Sequence, residues 1–435
     1  MRIVMLTNTY FPHVGGVAKS VESFSRALRD LGHQVLVIAP EFPDMPETES
    51  DVLRVPAIQR FNGSDFSVRL PIPGLLSGPM EQFKPDLIHA HHPFLLGDTA
   101  LRIASSLGVP LVFTHHTLYE EYTHYVSIGS ESSSGSKLMR RFAIELSTGY
   151  ANLCDHVIAP SQSLLDLIRQ RGVVTPATIV PTGVDISRFE GKSRPAFREA
   201  HGIPLDSFVV GHIGRLAPEK NLMFLTRAVG RFLQKHKAAW FVVAGSGPVE
   251  KEMQDYFSEQ GLAERVRFVS ILIGKDLVDC YASMNVFAFA SQSETQGMVL
   301  IEAMAAGVPV VALDANGVRE VVEDCSNGRK LPTEDEEAFA EALGWTMELS
   351  EEAYGRISRE ALFTASQYSV TVTTKKLETV YKSLLQIRRA QHLPEDNPWT
   401  STLRYLSAEW KLFTSLAHAA GTALTEPDPV ESEKK

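Results

Sequence analysis

Two carboxylates, Glu294 and Glu302, stand eight residues apart in the stretch SETQGMVLIEAMAAGVPVVA that runs from Ser293 to Ala312. A carboxylate accepts two strong hydrogen bonds, which suits paired sugar hydroxyls, and a helix opening at Gly297 offers backbone amides that suit a phosphate. Two cations, Arg215 and Lys220, stand five residues apart in GRLAPEKN. They sit in a loop before a helix, where the helix dipole disfavours positive charge, and a shared anion such as a diphosphate accounts for both. A third group is Gly15 and Gly16 in HVGGVAKS, where bare backbone at another helix start can approach an anion. A tight turn accounts for a lone Gly-Gly equally well. Taken alone, Glu302 reads as a solvated helix charge.

These groups need elements to hold them. The short apolar run VFAFAS reads as a buried strand, so Glu294 belongs to the loop at its carboxyl end and Glu302 lies about two turns along the next helix. The same alternation starts at the N-terminus, where RIVMLTN and QVLVIAP read as strands around the helical SVESFSRALRDLG, and PDLIHAH, PLVFTHH and HVIAPS supply three more. After TIVPTGVDISRF it restarts with SFVVGHIG, AWFVVAGSG, VRFVS, VFAFAS and PVVALD. Strands alternating with helices predict parallel sheets covered on both faces, with ligands at the carboxyl ends of the strands. An α/β fold of two doubly wound domains follows, joined near Asp185 to Pro204. The expected ranges are 1–190, 191–375, C-terminal helices over 376–422 that pack back on the first domain, and a disordered tail over 423–435.

Composition narrows the function. At 435 residues, 44% hydrophobic and 22% charged, the chain reads as a soluble globular protein too long for one core. A formal charge of -10 gives no general reason to expect nucleic acid, which needs clustered Lys and Arg. The three cysteines, Cys154, Cys280 and Cys325, lack C-x-x-C spacing and argue against a disulfide frame or a zinc site. No apolar run is long enough for a signal peptide or a membrane span, so the expected location is cytoplasmic. AGSGPVEK lacks the third glycine of G-x-G-x-x-G, which argues against NAD.

Two stretches depart from the alternation. Val126 to Lys137, VSIGSESSSGSK, reads as a mobile Gly and Ser rich loop. Near the C-terminus Trp399, Leu403, Leu406, Trp410, Phe413 and Leu416 form one apolar helical stripe. Docking back on the first domain is the expected use of that stripe, with a membrane-surface helix as the alternative.

The pairing of GRLAPEKN with SETQGMVLIEAMAAGVPVVA, the Gly-Gly after the first strand and VPTGVDISRF at the domain junction resemble the retaining GT-B glycosyltransferases of family 4. The resemblance covers most of residues 1 to 385. It implies two Rossmann-like domains facing across a cleft that holds a nucleotide sugar, with no metal and no other cofactor. Carried over by position, Arg215 and Lys220 bind the diphosphate, Glu294 the donor sugar and Glu302 the ribose. The amides of Gly297, Met298 and Val299 support the sugar and phosphate, Gly16 approaches the phosphates, and His116 in VFTHHT contacts the transferred sugar. Thr117 follows where many members have Asp. Residues Val269 to Ile273 are expected to face the base, without telling uracil from guanine.

The stretch HHTLYEEYTHYV is similar to a segment of the bacterial diacylglycerol glucosyltransferases in this family. That likeness implies a lipid acceptor such as diacylglycerol, glucose as the favoured hexose, and a peripheral membrane region built from Tyr119, Tyr122, Tyr125, Lys137, Arg140 and Arg141. The acidic overall charge departs from the basic character common among such enzymes. The same donor machinery fits a soluble acceptor or GDP-mannose. A non-catalytic binding module is a third reading, which the intact Arg215, Lys220, Glu294 and Glu302 oppose. No protein partner is expected.

Overall fold

The computed structural model describes residues 1–12, 15–58, 68–69, 76–120, 133–292, 294–390 and 398–425. It divides into two compact units, residues 1–183 with 371–435, and residues 184–370. The division falls earlier than the expected boundary at 190. Val184, Phe189 and Phe197 are buried in the core of the second unit, and Val184 bridges to Ser369, so the junction segment belongs there.

The first unit is built on β1 (Arg2–Leu6), β2 (Gln34–Pro40) and β3 (Val52–Val55), a separate antiparallel pair β4 (Ala57–Ile58) and β5 (Val68–Arg69), then β6 (Leu87–Ala90), β7 (Leu111–Thr114), β8 (His156–Ala159) and β9 (Ala177–Ile179). Its parallel sheet runs in the order β3-β2-β1-β6-β7-β8-β9. The connecting helices are α1 (Gly16–Asp30), α2 (Ser77–Phe83), α3 (Leu96–Leu107), α4 (Ser133–Leu153) and α5 (Gln162–Gln170). Alternate strand residues go to opposite faces, as the pleat requires. Ile3 and Met5 join Val21, Phe24 and Leu28 of α1, whereas Val4 and Leu6 join Leu96 and Ala100 of α3.

The second unit repeats the plan. Its strands are β10 (Phe208–Ile213), β11 (Ala239–Ala244), β12 (Val266–Val269), β13 (Val286–Phe289), β14 (Val310–Leu313) and β15 (Gly328–Leu331), parallel in the order β12-β11-β10-β13-β14-β15. Helices α6 (Arg194–Ala200), α7 (Leu222–Lys235), α8 (Glu250–Glu259), α9 (Gly274–Ser283), α10 (Met298–Ala305), α11 (Glu336–Glu348) and α12 (Glu351–Gln367) cover it. The chain then returns to the first unit through α13 (Val370–Ala390) and α14 (Pro398–Thr425). Leu377, Val380 and Tyr381 of α13 complete the core beneath α1.

Two expectations change. Ser133 to Lys137 belong to α4 and not to a loop, consistent with the tolerance of a helix N-terminus for Ser; residues 126–132 lie outside the described part, as do 426–435 of the expected tail. Helix α14 packs on α3 and α4, but not through its bulky stripe. Ala408, Ala419 and Ala423 are buried, and Leu412 joins the core. On the opposite face Leu403 is 63% exposed, Leu406 56%, Trp410 67%, Phe413 62% and Leu416 49%. Small residues win the contact because they let helices approach closely, and at Gly149 of α4 a Cβ would lie only 2.3 Å from Ser415 Oγ. The side chain of Trp399 lies outside the described part.

Candidate active site

In the second sheet strand order reverses between β10 and β13, so the loops leaving these neighbours emerge side by side at the carboxyl edge. That topology brings together Lys220 and Glu294, 74 residues apart in sequence. Lys220 Nζ donates to Glu294 Oε1 at 2.5 Å, and both side chains are 18% exposed. Arg215 pairs with Glu219 at the exposed rim of the same loop, and Ser291 Oγ donates to the Glu219 carbonyl at 3.4 Å, tying the two loops together. All four sequence-selected charges of this unit therefore have protein partners, and Arg215 and Lys220 are each held by a carboxylate.

The glycines of AGSGPVEK explain how the cationic loop is set. A Cβ on Gly245 would sit 1.9 Å from the Gly214 carbonyl oxygen, and one on Gly247 2.3 Å from that of Leu216. Bare backbone lets Leu216 N donate to Ser246 O at 2.9 Å and Val249 N donate to Leu216 O at 3.0 Å. These glycines serve loop-to-loop packing.

Gly297 caps α10 with φ +69, a left-handed conformation that favours glycine. It has no side chain to occupy the first-turn amides of Met298 and Val299, which a helix leaves without intrahelical partners. Sequence reasoning passed over Gly317, whose φ is +74 and where a Cβ would meet Gln296 N at 2.8 Å. Its place in DANGVRE, after PVVALD, was the available signal. Glu302 departs from the reading as a solvated charge. It is buried because nearly every side of α10 is, and Tyr281 Oη donates to its Oε2 at 2.8 Å. Burial, and then the Glu302 charge, push the Tyr281 hydroxyl well above its usual range, so it remains a neutral donor. His212 is another residue the sequence reading missed. Its Nδ1 lies 3.0 Å from the Ala288 carbonyl oxygen, and burial pushes it down to about 4, with Lys220 adding to the shift.

In the first sheet the order reverses between β1 and β6, and a polar cluster again occupies the strand ends. Asn8 N donates to His92 Nδ1 at 3.1 Å, while Asn8 Oδ1 accepts from Leu96 N at the start of α3. β7 lies beside β6, so His116 Nε2 comes within 2.9 Å of His91 Nδ1. His89 lies 2.6 Å from both Thr114 Oγ1 and Tyr381 Oη. Burial pushes His89 and His115 down to about 3 and lowers His91 and His116 well below the usual range. All are neutral at pH 7 and act as hydrogen-bonding groups. The sequence reading used only His116, although HAHH at the end of β6 marks His89, His91 and His92, and His115 stands beside His116. Gly16 opens α1, and a Cβ there would meet no described residue within 4 Å.

The residues expected to form a membrane region divide. Tyr119 packs edge-to-face on Phe94 at 5.4 Å with its hydroxyl buried, because it follows β7 into the polar cluster. Arg141 is buried on the inner side of α4, with Nη2 3.9 Å from Glu145. Lys137 is exposed and Arg140 half-buried. Tyr122 and Tyr125 lie outside the described residues. Among the described residues no three His, Cys, Asp or Glu side chains gather so as to hold a metal ion.

Known proteins can be compared with this geometry. Residues 14–188 match the model of Glycosyltransferase Family 4, and residues 193–361 that of Glycosyl transferases group 1. A GDP-mannose-dependent alpha-mannosyltransferase of Mycolicibacterium smegmatis is 30% identical over 83% of this chain and 92% of its own. The chain belongs to glycosyltransferase family 4. Its similarity extends to the alpha-monoglucosyldiacylglycerol synthase of Acholeplasma laidlawii, 28% identical over 88% of this chain and 98% of that one. The solved Anabaena HepE in complex with UDP and glucose superposes with a TM-score of 0.67 at 23% identity, over 88% of this chain and all of that one. The fold is GT-B, built from two Rossmann-like units. As a member of family 4 the chain is a retaining hexosyltransferase that draws on a nucleotide sugar.

Proposed function

We propose that this family 4 enzyme transfers glucose from UDP-glucose to a lipid acceptor of the diacylglycerol type. The observation that carries the donor half is the Lys220–Glu294 pair at the switch point of the second sheet. Arg215 and Lys220 neutralise the diphosphate, the amides of Gly297, Met298 and Val299 support it, Glu294 holds the sugar hydroxyls and Glu302 the ribose. Gly16 approaches the phosphates, and His116, a neutral imidazole, hydrogen-bonds the transferred sugar. Ile271 and Ile273, 60% and 70% exposed after β12, offer an apolar platform for the base. The acceptor hydroxyl forms its bond to the anomeric carbon on the face from which the bond to phosphate breaks, and its proton passes to the departing phosphate oxygen. Arg215, Lys220 and the α10 amides carry the developing charge, so no metal takes part. Glu294 orients the donor and does not attack it.

The alpha-monoglucosyldiacylglycerol synthase likeness, extending over 98% of that relative, supports the lipid acceptor and a peripheral position at the inner face of the plasma membrane. Among the described residues no helix is long and apolar enough to cross a membrane. The mannosyltransferase relative favours GDP-mannose as the competing donor. A screen with EDTA present, of UDP-glucose, UDP-galactose and GDP-mannose with and without diacylglycerol vesicles, tests both halves by mass spectrometry. A hexosyl-diacylglycerol from UDP-glucose alone is the expected result. Product from GDP-mannose alone, or nucleotide release with no glycosylated lipid from any donor, overturns the corresponding half.

A further inference from the structure

Helix α14 is apolar on two opposite faces, and among the described residues only one of them is used inside the first unit. Leu403, Leu406, Trp410 and Phe413 recur at three and four residue steps on the outward face, and Leu416 borders them. Together they extend for about 20 Å along the helix. We infer that this outward face of α14 is the surface by which the enzyme lies on an anionic membrane, an inference that rests on the lipid-acceptor reading above.

Charge selects the occupant. The chain as a whole carries -10, yet α14 carries Arg404 and Lys411 against a single carboxylate, Glu409. The one carboxylate of the helix, Glu409, is answered by Arg102, whose Nε lies 2.5 Å from its Oε1. Lys411 is exposed beside Trp410. The Arg404 guanidinium turns to the C-terminal end of α3, where its Nη2 donates to the Ser106 carbonyl at 3.5 Å, which leaves Lys411 as the exposed cation of the helix. An apolar ridge centred on Trp410, with the exposed Lys411 at its edge, fits an anionic bilayer interface. A second copy fits less well, because a two-fold pairing centred near Trp410 would set two Lys411 ammonium groups together. The helix lies along the membrane and does not enter it, since its other face is occupied by α3 and α4. Both matched family segments end before α14, so this surface is separate from the donor machinery.

The test is flotation of the full chain with phosphatidylcholine vesicles, with and without phosphatidylglycerol. The wild type floats with the anionic vesicles. The double variant Trp410→Ser, Phe413→Ser loses at least about tenfold in partitioning, and Lys411→Glu loses less, mainly at low salt. Circular dichroism and hydrolysis of the nucleotide sugar without acceptor stay unchanged in both, which separates lost docking from lost folding. Flotation undiminished in the double variant overturns the inference, as does a wild-type dimer that the same substitutions dissociate. Wild-type flotation that the double variant abolishes, with no glycosylated lipid from any donor, supports the docking surface while removing the acceptor reading.

Discussion

The two sheets share a topology and differ in what they place at the point where strand order reverses. The first gathers His89, His91, His92, His115 and His116, buried and, where burial has set the titration, neutral. The second gathers Arg215, Lys220, Glu219 and Glu294 in pairs that keep some contact with water. Burying a charge costs far more than burying a neutral imidazole, so the charged groups of the second edge are paired and keep part of their hydration. The imidazoles of the first edge can be dry, because neutral donors and acceptors satisfy one another without a charge to bury. The same fold therefore supplies one electrostatic and one hydrogen-bonding edge.

Acid breaks this comparison most strongly. His89, His91, His115 and His116 have folded values depressed by burial, whereas the unfolded chain titrates near 6.5. Below that value the unfolded state binds more protons, so stability present at neutral pH is lost as pH falls, through a window reaching down to about 3 for His89 and His115. Each such group contributes up to about 1.4 kcal/mol per pH unit once the pH lies below the unfolded value. Hydrogen exchange at pH 7 and 5.5 is expected to show the first unit loosening before the second, where His212 is the fully buried histidine with a depressed value. Equal loosening of both units removes the distinction.

Next in size is Glu294→Ala, which is expected to lower turnover by at least about a hundredfold, as for loss of one preorganised polar contact. Its melting temperature should hardly move, because an ion pair still in contact with water contributes about 0 to 1 kcal/mol. Turnover near that of the wild type would remove Glu294 from the donor site. The smallest effect sharpens the electrostatic side. Arg215, with its side chain 42% exposed, is screened by salt, so Arg215→Ala should raise the donor KM by about tenfold at low ionic strength and by less at high. An effect independent of salt would show that Arg215 acts through packing.

The fold was legible where burial was complete. β11, β13 and β14 are short, continuous apolar runs because both faces of a parallel strand are covered. β3, β9 and β15 were not foreseen, and all three lie at sheet edges, where half-exposed residues such as Arg329 and Lys330 break the run. Glu302 was legible as a residue and not as an environment: eight residues of spacing place it on α10, but only the packing of α9 reveals Tyr281 as its partner.

The sequence by itself determined the alternation of strand and helix, the restart after TIVPTGVDISRF, and the charged and glycine-bearing loops at strand ends, because these depend on local periodicity and on residue type. Tertiary structure alone decided that Lys220 meets Glu294, that five histidines form one dry cluster, and that α14 docks by alanine while its aromatic stripe faces solvent. Strand order sets which loops become neighbours, and helix packing favours the face that allows the closest approach; neither is written in any single segment of the chain.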